Sequence, residues 1–259
     1  GFYLVAERWG GHLLVRRGLI ADRKERRVLL DAEATGLDAN GIVEFPVIAE
    51  HSAHDYEALF IAFAKPSDVR EALAFIGIPP GRPVDFSRRI FWPKGERIVM
   101  TAGRPGETAR PVEDFILDVR SPGKPTLPRR GFIHAGSVEV EQNGQTQLAA
   151  DGDGPGSIAS SYNEPTTVLD MPRQAMQGEV YERFVANPEI LVPKETFVQI
   201  TMTPEARPPE HPQRVVDLVL SAASPAGVTN LAGAVFRLSK AGDDAAEAPA
   251  VSLADALRG

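Results

Sequence analysis

What most limits this chain's fold is how often it is interrupted. Twenty-three glycines and 22 prolines are spread through 259 residues, and they cut the sequence into short apolar runs. A proline inside a helix removes an amide donor and clashes with the preceding turn, so long helices have little room and short strands are favoured. The run "RRVLLDAEATG" shows the type. Val28, Leu30, Ala32 and Ala34 fall on one face and Asp31 and Glu33 on the other, the period of a half-buried strand. "IVEFPVIAE" and "YEALFIAF" read as two more strands joined through the polar turn "HSAHD" as a hairpin. Pro46 lacks an amide donor, which predicts an edge or a bulge there. Further strands are expected at "RRIFWP", "RIVMTA", "VEDFILDV", "SVEVEQ", "QTQLAAD", "SIASSY", "TTVLDM", "TFVQITMTP", "VVDLVLSAA" and "AVFRLS". The expected class is α+β and β-dominated, with mostly antiparallel sheets arranged as a sandwich or a barrel.

One stretch has helical period. Val69, Ala72, Leu73 and Ile76 recur on one face, Ser67 is placed as N-cap, Asp68 and Glu71 suit the positive end, and Gly77 with Pro79-Pro80 stops the run. This predicts a helix over 67–76. A shorter one is expected over 178–186, in "GEVYERFVANP", ended by Asn187-Pro188. Residues 1–259 are read as one compact domain. The Pro-rich passage "RPGETARPVEDFILDVRSPGKPTLPRRGF" offers an alternative division into halves 1–128 and 129–240, and the Ala-rich, acidic segment 241–259 reads as a linker-like tail.

Composition excludes several functions. With 28 Lys and Arg against 35 Asp and Glu the net charge is −7, so nucleic acid is not an expected partner. The absence of cysteine removes disulfides, thiolate catalysis and Cys-ligated metals. No apolar run of about 18 residues is present, so no membrane-spanning helix is expected. The chain begins at Gly1 without a signal-peptide pattern, which suggests an export signal already removed, with a lipid anchor on the full-length chain compatible with that reading.

Little of the sequence has the form of chemistry. "HSAHDYE" holds His51, His54 and Glu57 at H-x-x-H-x-x-E spacing. On a helix these three would share one side and suit a divalent metal. On a strand, residues three apart point to opposite faces, so His54 would turn away from the other two unless a turn at Ser52 relaxes the geometry. "DGDGPGS" places Asp151 and Asp153 as in a calcium loop, but Pro155 and Tyr162 occupy positions where ligands belong, so a glycine turn is the simpler reading. His134 and His211 are candidate bases without a G-x-S-x-G elbow. Glu164 and Asp170 are candidate paired carboxylates, although a chain with 35 acidic residues holds many such pairs. Trp9 and Trp92 suit either a ligand surface or the rim of a β-rich core.

The order "RRVLLDAEATG", then "VEFPVIAEHSAHDYEALFIAFAKPSDVREALAFIGIPPGRPV", then "GFIHAGS", "AADGDGPGSIASSYNEPTTVLDMP" and "ETFVQITMTP" resembles the YdjY-like family of bacterial proteins, from about Leu19 to Pro204. The resemblance implies an extracytoplasmic place, in the periplasm or at the cell surface, and a protein without an assigned activity. Family members often carry His-Glu where this chain has Tyr56-Glu57, so a metal role at that point would pass to His54. Two functions follow. The first is a non-enzymatic binding module for a protein or small-molecule partner, with no cofactor. The second is a metal-dependent hydrolase in which His51, His54 and Glu57 hold a divalent ion.

Overall fold

A computed structural model describes residues 7–9, 11–142, 144–152, 154–206, 235–237 and 250–252. The chain divides into two units, Gly1–Ala206 and Arg207–Gly259. In chain order the first unit contains β1 (Glu7–Trp9), β2 (Leu13–Arg16), β3 (Leu19–Asp22), β4 (Arg27–Ala34), β5 (Phe45–Ala49), β6 (Ala58–Ala62), α1 (Pro66–Phe75), β7 (Arg97–Gly103) and β8 (Arg110–Pro111). It continues with β9 (Ile116–Asp118), β10 (Phe132–His134), β11 (Glu139–Gln142), β12 (Gln145–Leu148), β13 (Ser157–Ala159), β14 (Leu169–Asp170), α2 (Gln177–Val180), β15 (Phe184–Ala186) and β16 (Phe197–Pro204). In the second unit β17 (Val235–Arg237) pairs antiparallel with β18 (Ala250–Ser252). The fold is β-dominated, mostly antiparallel and of the α+β class.

Eight strands close a barrel in the order β4-β16-β7-β10-β14-β13-β5-β6, and β6 returns to β4. The alternation in β4 explains closure. Val28, Leu30, Ala32 and Ala34 are buried, and their neighbours across the ladder share the same face: Ile200 stands opposite Leu30 and Ala102, and Met202 opposite Val28 and Met100. An eight-stranded barrel is just wide enough for such side chains to fill it, and here Phe45, Phe60 and Phe132 supply the bulk. One edge of β4 serves two partners. Its residues Arg27 to Leu30 pair with β3, and Ala32 to Ala34 pair with β6. The β1-β2-β3 meander therefore leaves the barrel at Asp31, whose amide and carbonyl bond Gly18 and Phe63 instead.

α1 covers part of this core with Val69, Ala72 and Leu73, followed by its C-cap Ile76. It begins one residue earlier than predicted. Lys65 is the N-cap and Pro66 takes the first helical position, where its missing amide costs nothing. Ser67 instead donates its backbone N–H to Asp151 Oδ1 at 3.0 Å, so the cap comes from 84 residues away.

Several expectations need correction. β5 and β6 are parallel rather than a hairpin, and residues 50–57 carry the chain back along the strand. Tyr56 and Glu57 lie in a 3-10 turn, Asp55–Glu57, before β6 begins. β5 is paired on both sides, and the irregularity expected at Pro46 appears on its neighbour, as a register shift between Ser157 and Ala159. "RRIFWP" is not a regular strand but one limb of a ribbon held by single bridges, Arg82 to Lys94 and Asp85 to Ile90. "VEDFILDV" starts as a 3-10 turn and becomes β9 only at Ile116. The second helix stops at Val180. Glu182 takes a left-handed φ of 55°, and Phe184–Ala186 becomes β15, paired with β9. Strands from both sides of residue 128 share the one barrel: β7 pairs β10, β5 pairs β13 and β4 pairs β16. "VVDLVLSAA" and most of 241–259 lie outside the described residues. No helix among the described residues is long and apolar enough to cross a membrane.

Candidate functional site

The most polar part of the buried interior gathers where the 50–57 crossover meets the segment after β13. Glu44 is the one charge in the apolar run "IVEFPV", and its backbone is fixed from both sides. Its N–H donates to the Glu57 carbonyl at 3.0 Å, and its carbonyl accepts from the Ser161 N–H at 2.9 Å. Phe45 then places its ring 5.7 Å from His54 and 5.9 Å from Tyr162. The 3-10 turn resolves the face problem that a strand would have posed. His54 Nδ1 and Glu57 Oε1 lie 2.6 Å apart, while the ring of Tyr56 stacks against His54 and stays 65% exposed.

The predicted triplet therefore separates. His54 and Glu57 meet, but His51 is exposed and lies against Gly156, close enough that a Cβ there would sit 3.2 Å from its Nε2. Among the described residues no three histidine, aspartate or glutamate side chains gather closely enough to hold a metal ion.

The sequence did not single out Glu44, marked Tyr162 only as a misfit in a calcium loop, and offered Glu164 and Asp170 as a candidate carboxylate pair among many. All three carboxyl groups are buried, and each has one satisfied and one unsatisfied oxygen. Gln177 Nε2 donates to Glu44 Oε2 at 2.8 Å, and Thr166 Oγ1 to Glu164 Oε2 at 2.9 Å. Asn163 Nδ2 and the Met171 N–H both donate to Asp170 Oδ1. Glu44 Oε1, Glu164 Oε1 and Asp170 Oδ2 have no hydrogen-bond partner among the described residues. Burying an ionised carboxylate without full compensation is unfavourable, so the neutral form gains. Burial raises the Glu44 carboxyl above its ordinary value, partly offset by Gln177. It pushes Glu164 up to about 7 and Asp170 up to about 8. Burial also raises the Tyr162 phenol, and the charges of Glu164, Glu44, Glu57 and Asp170 add to that, which places the four carboxyls in one electrostatic neighbourhood.

The other candidates have structural roles or lie elsewhere. His134 is fully buried with Nδ1 3.0 Å from the Ile78 carbonyl. Burial lowers it to about 4, so it is neutral at pH 7. Asp151 caps α1. Trp92 is exposed. Asp153, His211 and the side chain of Trp9 lie outside the described residues.

The arrangement is a buried acidic cluster beneath a polar turn. The turn carries His54, Tyr56 and the buried Glu57, and α2 leads from Gln177 to Tyr181, which is 46% exposed and close enough for its phenol to interact with that of Tyr56. Such a site suits a group that donates hydrogen bonds or carries positive charge. Compared with protein-family models, with curated proteins and with solved structures, the chain matches none.

Proposed function

We propose that the protein is a non-enzymatic binding module, acting outside the cytoplasm, that recognises a cationic group of a small molecule or a protein partner. The observation that carries this reading is the buried, unpaired Glu44 Oε1, close enough to interact with the exposed Tyr56, which in turn interacts with the exposed Tyr181. Ammonium and guanidinium groups bind well where a carboxylate and an aromatic face meet, because one supplies a charge-assisted hydrogen bond and the other a negative ring face. The extracytoplasmic place is supported by the resemblance to YdjY-like proteins.

Thermal melting with putrescine and with a lysine-rich peptide, against an acidic peptide as control, tests the reading. A ligand that prefers the folded state raises the melting temperature. Both cationic probes are expected to raise it by several degrees, and Glu44→Gln or Tyr56→Ala with Tyr181→Ala to remove most of the shift. No shift with either cation, or one indifferent to both variants, would sink the proposal.

The contact between His54 and Glu57 favours a second reading, a metal-dependent hydrolase in which these two supply donors to a divalent ion and His51 does not. A zinc-induced rise in melting temperature that EDTA reverses, lost in His54→Ala and kept in His51→Ala, would favour it over the first.

A further inference from the structure

Residues 82–94 form an arm whose composition is opposite to that of the chain around it. Four cationic side chains, Arg82, Arg88, Arg89 and Lys94, share it with one carboxylate, Asp85, in a protein of net charge −7. Its three aromatic side chains face outward, while Val84 is buried. Phe86 is 38% exposed, Phe91 37% and Trp92 54%, and the rings of Phe86 and Phe91 lie 6.3 Å apart. Exposed aromatics of this size so close together are unusual on a surface and mark a place of contact.

The arm is built to hold its shape. The bridges Arg82 to Lys94 and Asp85 to Ile90 make it a ribbon. Asp85 fastens the tip by accepting from Ser87 Oγ at 2.6 Å and from the Arg88 N–H at 3.2 Å, and Arg89 turns the chain with a left-handed φ of 58°. Its base is fixed to the barrel. The Gly81 N–H donates to the His134 carbonyl at 2.9 Å. The backbone there is so close that a Cβ on Gly81 would sit 1.8 Å from the Lys94 carbonyl oxygen, and one on Gly95 2.3 Å from that of His134.

We propose that this arm docks the protein on an anionic lipid surface, with Phe86, Phe91 and Trp92 entering the headgroup boundary while the arginines and Lys94 meet the negative headgroups. Tryptophan and phenylalanine beside basic residues form the combination that settles at a bilayer interface. Basic side chains near the surface add attraction that fades within a Debye length. A short arm engages that layer while most of the acidic body stays outside it. Strand-like nucleic acids call for a basic groove that follows the backbone over several nucleotides, which an exposed tip does not offer.

The full chain would be sedimented with vesicles of phosphatidylcholine alone and with vesicles containing about one third phosphatidylglycerol, at low and high salt. Binding is expected only to the second kind, weakening as salt rises. It should fall about tenfold or more in Phe91→Ala with Trp92→Ser, and again in Arg88→Glu with Arg89→Glu. These side chains are exposed, so unchanged melting curves would show that the variants stay folded. In a Trp9→Phe background, the emission of Trp92 should shift to the blue on phosphatidylglycerol vesicles. Equal binding to both vesicle types, no binding, or no effect of either double variant would overturn the proposal. So would binding to a single-stranded oligonucleotide that exceeds vesicle binding and is lost in the same variants.

Discussion

Glu164 and Asp170 hold their protons more tightly in the folded chain than in the unfolded one, because burial penalises their charged forms. Where both states are protonated neither residue affects stability. As pH rises past the ordinary carboxylate range the unfolded chain ionises first, so stability falls until pH passes the folded values of about 7 and about 8. Asp118 acts in the opposite sense. The two-pronged contact with Arg183, at 2.8 and 2.7 Å, leads the effects that hold it down at about 2, so its contribution is present at neutral pH and is lost as pH falls from its ordinary value through about 2. Melting temperature should therefore peak at mildly acidic pH, roughly 4 to 5, and decline toward pH 8.5. Glu164→Gln and Asp170→Asn should flatten the alkaline decline, and an unchanged slope in both would contradict the burial argument. The two residues were visible in the sequence only as one carboxylate pair among many. What gives them meaning is the loss of water around them, and no spacing encodes that. Glu44 left a plainer trace, a lone charge inside an apolar run, although it was not singled out from the sequence.

The elements themselves were largely readable where a period repeats. β4 buries the four residues its alternation named, and α1 buries the stripe its 3.6-residue period named. The cap was not readable, because Asp151 reaches Ser67 through the fold. Asp151→Ala should cost about 1 kcal/mol, the usual worth of an N-cap. Leu73→Ala should cost about 2 to 5 kcal/mol, through lost burial plus the cavity left behind. Urea denaturation separates the two, and near-equal losses would show that the cap carries more than a single hydrogen bond. The parallel pairing of β5 and β6 also escaped local rules, since a strand's alternation is the same in either direction. An eight-residue connection is shorter than the dozen or so residues a parallel crossover commonly uses, which made the hairpin the natural expectation. The consequence reaches the site: the 3-10 turn in that crossover brings His54 to Glu57.

At the scale of the whole first unit, the barrel is assembled from strands distant in sequence. β16, at residues 197–204, pairs along both β4 and β7, so neither is complete without it. A chain ending at Ala206 should melt cooperatively, because the unit's pairings are all present. One ending at Thr196 should lose that transition, and a cooperative melt in the shorter chain would show that the ring holds with a strand missing. The same closure bears on synthesis. Until residue 204 has cleared the ribosome, the nascent protein presents two unpaired strand edges lined with valine, leucine, isoleucine and methionine. Products of premature termination would therefore expose templates for edge-to-edge association.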